Sequence, residues 1–295
     1  MAPPFPNHLR DRCEAYLAQL TFGEDYAAAG LVEAMRYSLL AGGKRIRPVL
    51  ALATGEAIGR DVETLLPLAG ALEMIHTYSL VHDDLPAMDD DDLRRGRPTC
   101  HVAYGEDVAI LAGDGLYAEA FRHLLTAQAG DPRRVARAAA ELAAATGVTG
   151  MVGGQYLDVV ATAPSGPDGL RRLHALKTGR LIRASIECVL YLDGAEPATI
   201  THFTNFADEI GVLFQIVDDI LDVTGSDEAL GKPQGSDAKL GKRTYVTEFG
   251  LDGARMLAAE SHGRARVELA AATAAGAGDP TALEQITDFI TDRSF

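Results

Sequence analysis

The sequence contains no uncharged stretch of about 20 apolar residues, which a membrane-spanning helix would require. Its N-terminus has no basic segment followed by an apolar run, so no signal peptide is predicted. Basic residues are scarce, with 27 Lys and Arg against 42 Asp and Glu and a formal net charge of −15. Because nucleic-acid phosphates attract basic surfaces, this balance argues against a nucleic-acid-binding protein.

Cysteine is also rare, since only Cys13, Cys100 and Cys188 occur among 295 residues. Their number is odd and their positions do not match the spacing of metal ligands. We therefore expect free thiols that pack as small core or surface residues. Free thiols are typical of a reducing compartment, and we expect a cytoplasmic location.

The sequence lacks runs of alternating β-branched residues, so no sheet is predicted. Segments such as 135–145 are rich in Ala, Leu, Glu and Arg, which favour helix. The best candidate for a linker, residues 163–169, has helical patterning on both sides and is interpreted as a loop between helices. With 47% hydrophobic residues, the chain is predicted to form a single all-α domain over residues 1–295.

Two aspartate clusters about 130 residues apart are the most informative features of the sequence. Residues 76–92 read HTYSLVHDDLPAMDDDD, and residues 214–222 read FQIVDDILD. Asp218 and Asp222 are four residues apart, which places them on one face of a helix. In the first cluster Pro86 interrupts regular helix, so we expect the chain to curl there and bring Asp89 back towards Asp83.

These carboxylates follow apolar helical stretches and therefore border the predicted core, where charges need partners. Carboxylate oxygens are hard ligands of the kind that Mg²⁺ shares with phosphate oxygens. The pattern predicts two helices that present carboxylates across the mouth of a cavity. Asp90, Asp91 and Asp92 are interpreted as caps or loop charges.

Basic residues alternate with the acidic clusters along the chain. GGKRIRP at 42–48 combines a flexible Gly-Gly turn with three cations, and RRGRP follows the first acidic cluster at 94–98. Lys177, Lys232 and Lys242 add donors farther along. The alternation predicts two anion sites, one that uses metal ions and one that uses cations of the protein alone.

On these motifs the chain resembles the trans-isoprenyl diphosphate synthases, most closely the bacterial farnesyl diphosphate synthases. The resemblance extends from about Leu31 to the C-terminal helix and also includes GGQ at 153–155, KTG at 177–179 and the segment from Gly231 to Lys242. It implies an all-α isoprenoid synthase bundle around a deep central pocket, acting as a homodimer on isopentenyl diphosphate and an allylic diphosphate.

The resemblance also implies roles for individual residues. Three Mg²⁺ ions per active site would be held by Asp83, Asp84, Asp89, Asp218, Asp219 and Asp222. The allylic diphosphate would be bound by Arg94, Lys177, Lys232 and Lys242, and isopentenyl diphosphate by Gly43, Lys44, Arg47, His76 and Arg95. Lys177, Thr178 and Gln215 would be the catalytic residues beside the reacting carbon. His76 lies two helical turns before Asp83, on nearly the same face, which supports its role.

Product length is expected to depend on Tyr78, together with its neighbour Ser79. Tyr78 lies five residues before Asp83, which is about 7.5 Å along a helix, so its ring could form a floor below the growing chain. The resemblance favours farnesyl diphosphate, since related C20 enzymes carry a small residue at this position. Arg180 departs from the family pattern and is expected to add positive charge near the allylic site.

The reaction implied by the resemblance is ionisation, condensation and elimination, with no dedicated base. A sister synthase that makes geranyl or geranylgeranyl diphosphate remains an alternative. A class I terpene cyclase is a second alternative, although DDILDVT at 218–224 breaks the second metal motif of cyclases. A non-catalytic regulatory subunit is a third, although such a chain is expected to lose one acidic motif. His82, His101, His123 and His174 are assigned no role in the reaction.

Overall fold

A computed structural model describes residues 5–23, 26–160, 166–225, 243–274 and 278–292. Within these ranges the protein is all-α, as predicted, with one short hairpin. The helices are α1 Asn7–Gln19, α2 Ala29–Leu39, α3 Ile46–Ala57, α4 Leu66–Asp83, α5 Cys100–Tyr104, α6 Glu106–Ala127, α7 Pro132–Thr146, α8 Met151–Val159, α9 Gly166–His174, α10 Arg180–Asp193, α11 Pro197–Thr224, α12 Tyr245–Thr273 and α13 Thr281–Asp292. Single 3₁₀ turns span Tyr26–Ala28 and Val62–Leu65, and a π-helical turn spans Ala175–Gly179.

Helix α4 is the central element of the described core. Twelve of its 18 residues are buried, and it packs against α3 and α6. Because it is apolar on all sides, it can be stable only when other helices surround it. The first aspartate cluster therefore lies directly at the C-terminal end of this buried helix.

The second long partner is α11, which packs along α10 and α12 and carries the other acidic cluster. Helix α12 is interrupted at Gly250, whose φ of +70° is the left-handed region that glycine adopts without strain. The two acidic clusters thus belong to two helices, α4 and α11, that do not pack extensively against each other, and the packing of other helices brings the clusters together.

The hairpin and one loop differ from the sequence prediction. Strands β1 Leu93–Arg94 and β2 Arg97–Pro98 form an antiparallel pair, which is too short to leave an alternating pattern. Helix α9 starts at Gly166, so residues 166–169 of the predicted loop are helical. Pro167 and Asp168 explain this start, because both favour the first turn of a helix.

All three cysteines are buried free thiols, as expected from their scarcity and spacing. No helix in the described part of the chain is long and apolar enough to span a bilayer.

Candidate active site

The first acidic cluster curls back at the end of α4. The backbone N–H of Asp89 donates to the carbonyl of Asp83 at 2.9 Å, and the N–H of Asp91 donates to the carbonyl of Asp84 at 3.2 Å. Pro86 lies inside this curl, where it prevents the helix from continuing. The predicted return of Asp89 towards Asp83 is confirmed.

Asp83 directs its carboxylate towards the interior of the site. Its Oδ1 accepts a hydrogen bond from Gln155 Nε2 of α8 at 2.8 Å. Burial raises the pKa of Asp83 to about 6, the positive charge of Lys177 opposes this rise, and the negative charge of Asp89 adds to it. Because burial makes the ionised form of this carboxylate unfavourable, Asp83 is suited to receive a cation that would compensate its charge.

Asp84 points the other way and is only 4% exposed. Arg94 holds it with two donors, Nε at 2.8 Å from Oδ1 and Nη2 at closer range. The same Nη2 contacts Asp91 Oδ2 at 3.0 Å. Burial raises the pKa of Asp84 and Arg94 opposes that rise. Within the loop, Arg94 is thus paired with both Asp84 and Asp91.

The second acidic cluster divides in the same manner. Asp218 is exposed and lines a cavity of about 190 Å³ together with Asp89, so the two clusters face one another across it. Asp219 is 1% exposed and accepts from Gln215 Nε2 at 2.8 Å and from the backbone N–H of Tyr245 at 2.7 Å. It thereby anchors the first turn of α12. Asp222 is also buried.

Lys177 and Thr178 lie in the π-helical turn that leads into α10. Lys177 Nζ forms an ion pair with Asp158 Oδ2 at 2.6 Å, and Thr178 Oγ1 donates to Gln215 Oε1 at 3.1 Å. The turn packs closely on α8, since a Cβ added to Gly154 would lie 2.3 Å from the backbone N of Lys177. The three predicted catalytic residues are therefore grouped around one point. Lys232 and Lys242 lie outside the described residues.

The predicted isopentenyl diphosphate residues gather between the loop before α3 and the hairpin. Gly43 has a φ of +117°, and an added Cβ would lie 2.5 Å from the Arg95 guanidinium carbon, so only glycine fits here. Lys44 Nζ lies 5.1 Å from the ring centroid of Phe289 in α13. Burial lowers the pKa of Arg47 to about 10.

His76 completes this basic group from α4. Burial lowers the pKa of His76 well below its usual value, and the positive charges of Arg47 and Arg95 lower it further. The imidazole is consequently neutral at physiological pH and can donate one hydrogen bond to an anion.

A second, mainly apolar cavity of about 480 Å³ extends behind Asp83. It is lined by Arg47, His76, Tyr78, Ser79, Leu80, His82, Asp83, Met88, Met151, Val152, Gln155, Tyr156, Val159, Lys177 and Thr178. Tyr78 is 8% exposed, and its ring packs edge-on against Tyr117 at 5.0 Å and His82 at 5.8 Å. Lys177 and Thr178 line this cavity and the acidic cavity alike.

Sequence reasoning missed several residues of the two cavities. Gln155 and Asp158 project from α8 and contact Asp83 and Lys177, respectively. The sequence signal that could have revealed these contacts was the position of both residues within the segment GGQYLD at 153–158. His82 and His174 were given no role, yet each lines a cavity. Burial lowers the pKa of His174 to about 4, and its ring stacks on Tyr245.

Arg180, which was expected to add positive charge near the allylic site, lines neither of the two cavities. Its Nη2 donates to Glu141 Oε1 of α7 at 3.1 Å, so the guanidinium is neutralised by a neighbouring helix. The sequence expectation for Arg180 was wrong because spacing along a helix does not reveal which partner helix a side chain meets.

The donor set fits a metal ion that is shared with a ligand. Within the described ranges no three His, Cys, Asp or Glu side chains converge on one point. Mg²⁺ commonly takes only one or two protein carboxylates and fills its remaining positions with water and phosphate oxygens. Asp83 and Asp89 on one side and Asp218 on the other provide such a partial set.

The comparisons with known proteins agree with this geometry. The polyprenyl synthetase family model matches residues 29–273, and the chain belongs to this family. A farnesyl diphosphate synthase of Escherichia coli is 47% identical over 269 residues, which cover 90% of this chain and 89% of the relative. A chloroplastic geranylgeranyl pyrophosphate synthase of Capsicum annuum is 50% identical over 240 residues, or 80% of this chain and 65% of the relative. The chain thus spans slightly less than two thirds of that plant protein.

Among solved structures, a geranyltransferase of Helicobacter pylori complexed with magnesium and isoprenyl diphosphate superposes with a TM-score of 0.84 at 30% identity. The match covers 97% of this chain and 95% of the other. Family and fold are therefore established independently of the cavity geometry.

Proposed function

We propose that this protein is a short-chain trans-prenyl diphosphate synthase that joins isopentenyl diphosphate to dimethylallyl or geranyl diphosphate. The observation that carries the proposal is that Lys177 and Thr178 line both cavities. An allylic diphosphate in the acidic cavity with its tail in the apolar cavity places its reacting carbon at Thr178. The 1–295 chain then forms one polyprenyl synthase domain.

The two acidic clusters hold the leaving diphosphate. Asp83, Asp89 and Asp218 would hold Mg²⁺, which would supply positive charge that favours departure of the diphosphate. The number of ions proposed is three, with Asp84, Asp219 and Asp222 acting in support. Lys177, Arg94, Lys232 and Lys242 contribute the remaining positive charge around this diphosphate.

The catalytic oxygens surround the carbon at which positive charge develops. Asp219 fixes the amide of Gln215, which in turn accepts the hydrogen of Thr178, so both oxygens are held in place before the substrate arrives. The apolar cavity excludes water, which would otherwise quench the cation. The double bond of isopentenyl diphosphate, held by Lys44, Arg47, His76 and Arg95 with the backbone of Gly43, attacks this carbon. The released diphosphate accepts the final proton.

The direct test is to incubate the purified chain with isopentenyl diphosphate and each allylic starter, with Mg²⁺ or with EDTA. We expect prenyl diphosphates of defined length with Mg²⁺ and none with EDTA. A hydrocarbon formed from an allylic diphosphate alone would indicate a cyclase. Turnover only after a second protein is added would indicate a regulatory subunit.

We further propose that farnesyl diphosphate is the main product and that Tyr78 sets this length. Its ring lies on the wall of the apolar cavity, about 7.5 Å along α4 from Asp83, and is supported from behind by Tyr117. Tyr78→Ala should shift the product from C15 towards C20, with condensation retained. Tyr156 lines the same cavity from α8, so Tyr156→Ala is a matched control that should leave the product at C15.

Geranylgeranyl diphosphate is the second candidate, favoured by the 50% identity to the Capsicum annuum protein. If the wild type already makes mainly C20, or if Tyr78→Ala leaves the length unchanged, Tyr78 is not the floor. Ser79 is turned back onto α4, where its hydroxyl donates to the carbonyl of His76 at 2.9 Å. We propose only a minor influence of Ser79 on product length.

A cytoplasmic homodimer is proposed as the working form. Large apolar side chains remain exposed on α6, among them Ile110, Leu111 and Leu125, and a second copy could cover them. Light scattering should give twice the monomer mass of 31.3 kDa. A fully active monomer would contradict the dimer, and recovery of the protein in an organelle fraction would contradict the location.

A further inference from the structure

A buried carboxylate lies beneath the proposed isopentenyl diphosphate site, where negative charge is unexpected. Glu73 of α4 is 1% exposed and lies one helical turn before His76. Its Oε1 accepts a hydrogen bond from Arg45 Nη1 at 2.5 Å. No donor in the described part of the chain reaches its Oε2. Burying a charge with one oxygen unsatisfied is costly, which calls for a functional reason.

Arg45 connects Glu73 to the loop that precedes α3. It has a φ of +53°, in the left-handed region, and its side chain is fully buried. The guanidinium also donates to Glu14 Oε1 at 2.7 Å and to the carbonyl of Leu39 at 2.8 Å. These bonds turn Arg45 away from the site while Lys44 and Arg47 on either side of it remain available to an anion.

Glu73 also affects the cations that border the site. Burial lowers the pKa of both Arg47 and Arg95, and the negative charge of Glu73 opposes this in each case. The positive charges of Arg47, Arg95 and Arg45 also lower the pKa of His76. Glu73 is therefore the buried negative charge beside a basic cluster, of which Arg47 and His76 line the apolar cavity.

We propose that Glu73 is a positioning residue whose negative charge, held by Arg45 next to Lys44 and Arg47, opposes the binding of isopentenyl diphosphate. It keeps the cations together while the site is empty, and it limits how tightly the site holds a diphosphate. The inference rests on the proposed function and deepens it. During condensation the allylic C–O bond breaks and a C–C bond forms, whereas the C–O bond of isopentenyl diphosphate is kept. The product diphosphate consequently occupies this basic site and must leave it.

The informative variant is Glu73→Gln, which keeps an amide oxygen for Arg45 and removes only the negative charge. Inorganic diphosphate is the probe, and EDTA prevents metal-assisted binding at the acidic clusters. By titration calorimetry we expect Glu73→Gln to bind diphosphate roughly tenfold more tightly than the wild type, since one opposing charge in a partly buried site is lost. Without ligand the variant should melt at a lower temperature.

Steady-state kinetics separate this role from a merely structural one. For Glu73→Gln we expect kcat and the KM for isopentenyl diphosphate to fall together, because the product is retained, while the KM for the allylic diphosphate is unchanged. A structural defect would raise the KM instead. Glu73→Asp, which keeps the charge, should bind diphosphate as the wild type does. Glu14→Gln is the matched control, since Glu14 binds Arg45 from the more exposed side and should alter diphosphate affinity much less.

Diphosphate affinity that is equal or weaker in Glu73→Gln would overturn the proposal. A Glu73→Gln protein that stays unfolded in excess diphosphate would overturn it too, because the anion should replace the missing charge. Absence of diphosphate binding by the wild type in EDTA would have the same consequence. The titration does not depend on turnover, so a wild type that binds diphosphate but forms no prenyl product refutes the proposed function alone.

Discussion

The two acidic clusters use the same division of labour in different backbone settings. In each, one aspartate is accessible at a cavity while the next is buried and held by the protein: Asp83 beside Asp84, and Asp218 beside Asp219. The first pair stands at a helix end that Pro86 breaks, and Arg94 holds the inner member. The second pair lies within the regular helix α11, and an amide and a backbone N–H hold the inner member.

This difference indicates how each cluster can respond to a ligand. Asp84 is balanced by a full positive charge on a curled loop, whereas Asp219 is bonded to the start of another helix. Loops yield more readily than packed helices because fewer buried contacts hold them. We therefore expect the first cluster to adjust to the substrate and the second to act as the fixed wall.

The largest effect is expected from removing the outer aspartates. Asp83→Asn or Asp218→Asn should lower turnover by several orders of magnitude, because each would remove a proposed metal ligand that acts as charge develops on the leaving group. Product formation at saturating substrates, with circular dichroism to confirm the fold, is the measurement. Exposed Asp90 offers a control, since Asp90→Asn should retain most of the activity. Near-normal turnover of Asp83→Asn at limiting Mg²⁺ would contradict the metal assignment.

Ligand-linked stability tests whether the two outer aspartates act together. Mg²⁺ plus diphosphate should stabilise the protein far more than either alone, by about 2.7 kcal/mol for one site at a hundredfold excess over Kd. Melting curves with each component and with both provide the comparison. Asp218→Asn should lose the joint effect. Identical shifts with and without Mg²⁺ in the wild type would show that the carboxylates do not share an ion with diphosphate.

Replacing an inner aspartate should change the stability of the protein more than its metal binding. Asp219→Asn should lower the free energy of unfolding by roughly 2 kcal/mol, because its amide nitrogen would face one of the two donors, Gln215 Nε2 or the N–H of Tyr245. Denaturant unfolding of the metal-free protein measures this. The adjacent Asp218→Asn serves as control and should change stability little, since that side chain is exposed. Equal losses in the two variants would argue against the anchoring role of Asp219.

The smallest expected effect concerns pH. Burial raises the pKa of Asp83 to about 6, above its unfolded value of 3.8, so the folded state binds a proton more readily than the unfolded state. Its ionised form therefore destabilises the metal-free protein, and this cost develops as the pH rises from about 4 to 6. Asp83→Asn should be more stable than the wild type by about 1–2 kcal/mol at pH 8.

The gain of Asp83→Asn should shrink strongly by pH 4 and vanish below about pH 3, where Asp83 is protonated in both states. Unfolding midpoints of the two proteins at pH 4, 6 and 8, measured in EDTA, give the comparison. A difference in stability that does not vary with pH would show that folding does not raise the pKa of Asp83.

Much of the site was predictable because its signals are local. Pro86 between Asp83 and Asp89 predicted the curl, and four-residue spacing placed Asp218 and Asp222 on one helical face. The Gly-Gly turn at 42–43 predicted a close approach, which Arg95 makes in the structure. In contrast, the prediction for Arg180 was wrong, and the roles of Gln155, Asp158 and His174 were missed. The partners of these side chains are 19 to 72 residues away in sequence or can be known only from the packing of the helices.

Composition and spacing by themselves determined that the chain is helical and carries two carboxylate clusters and a basic turn. These properties follow from propensity, helical period and proline chemistry, which act over a few residues. Tertiary structure alone decided which aspartate of each pair is buried, and it placed Asp89 and Asp218 on the wall of one cavity. It also buried Glu73 beneath the arginines, because desolvation and ion pairing depend on which helices pack together and not on the order of residues along one of them.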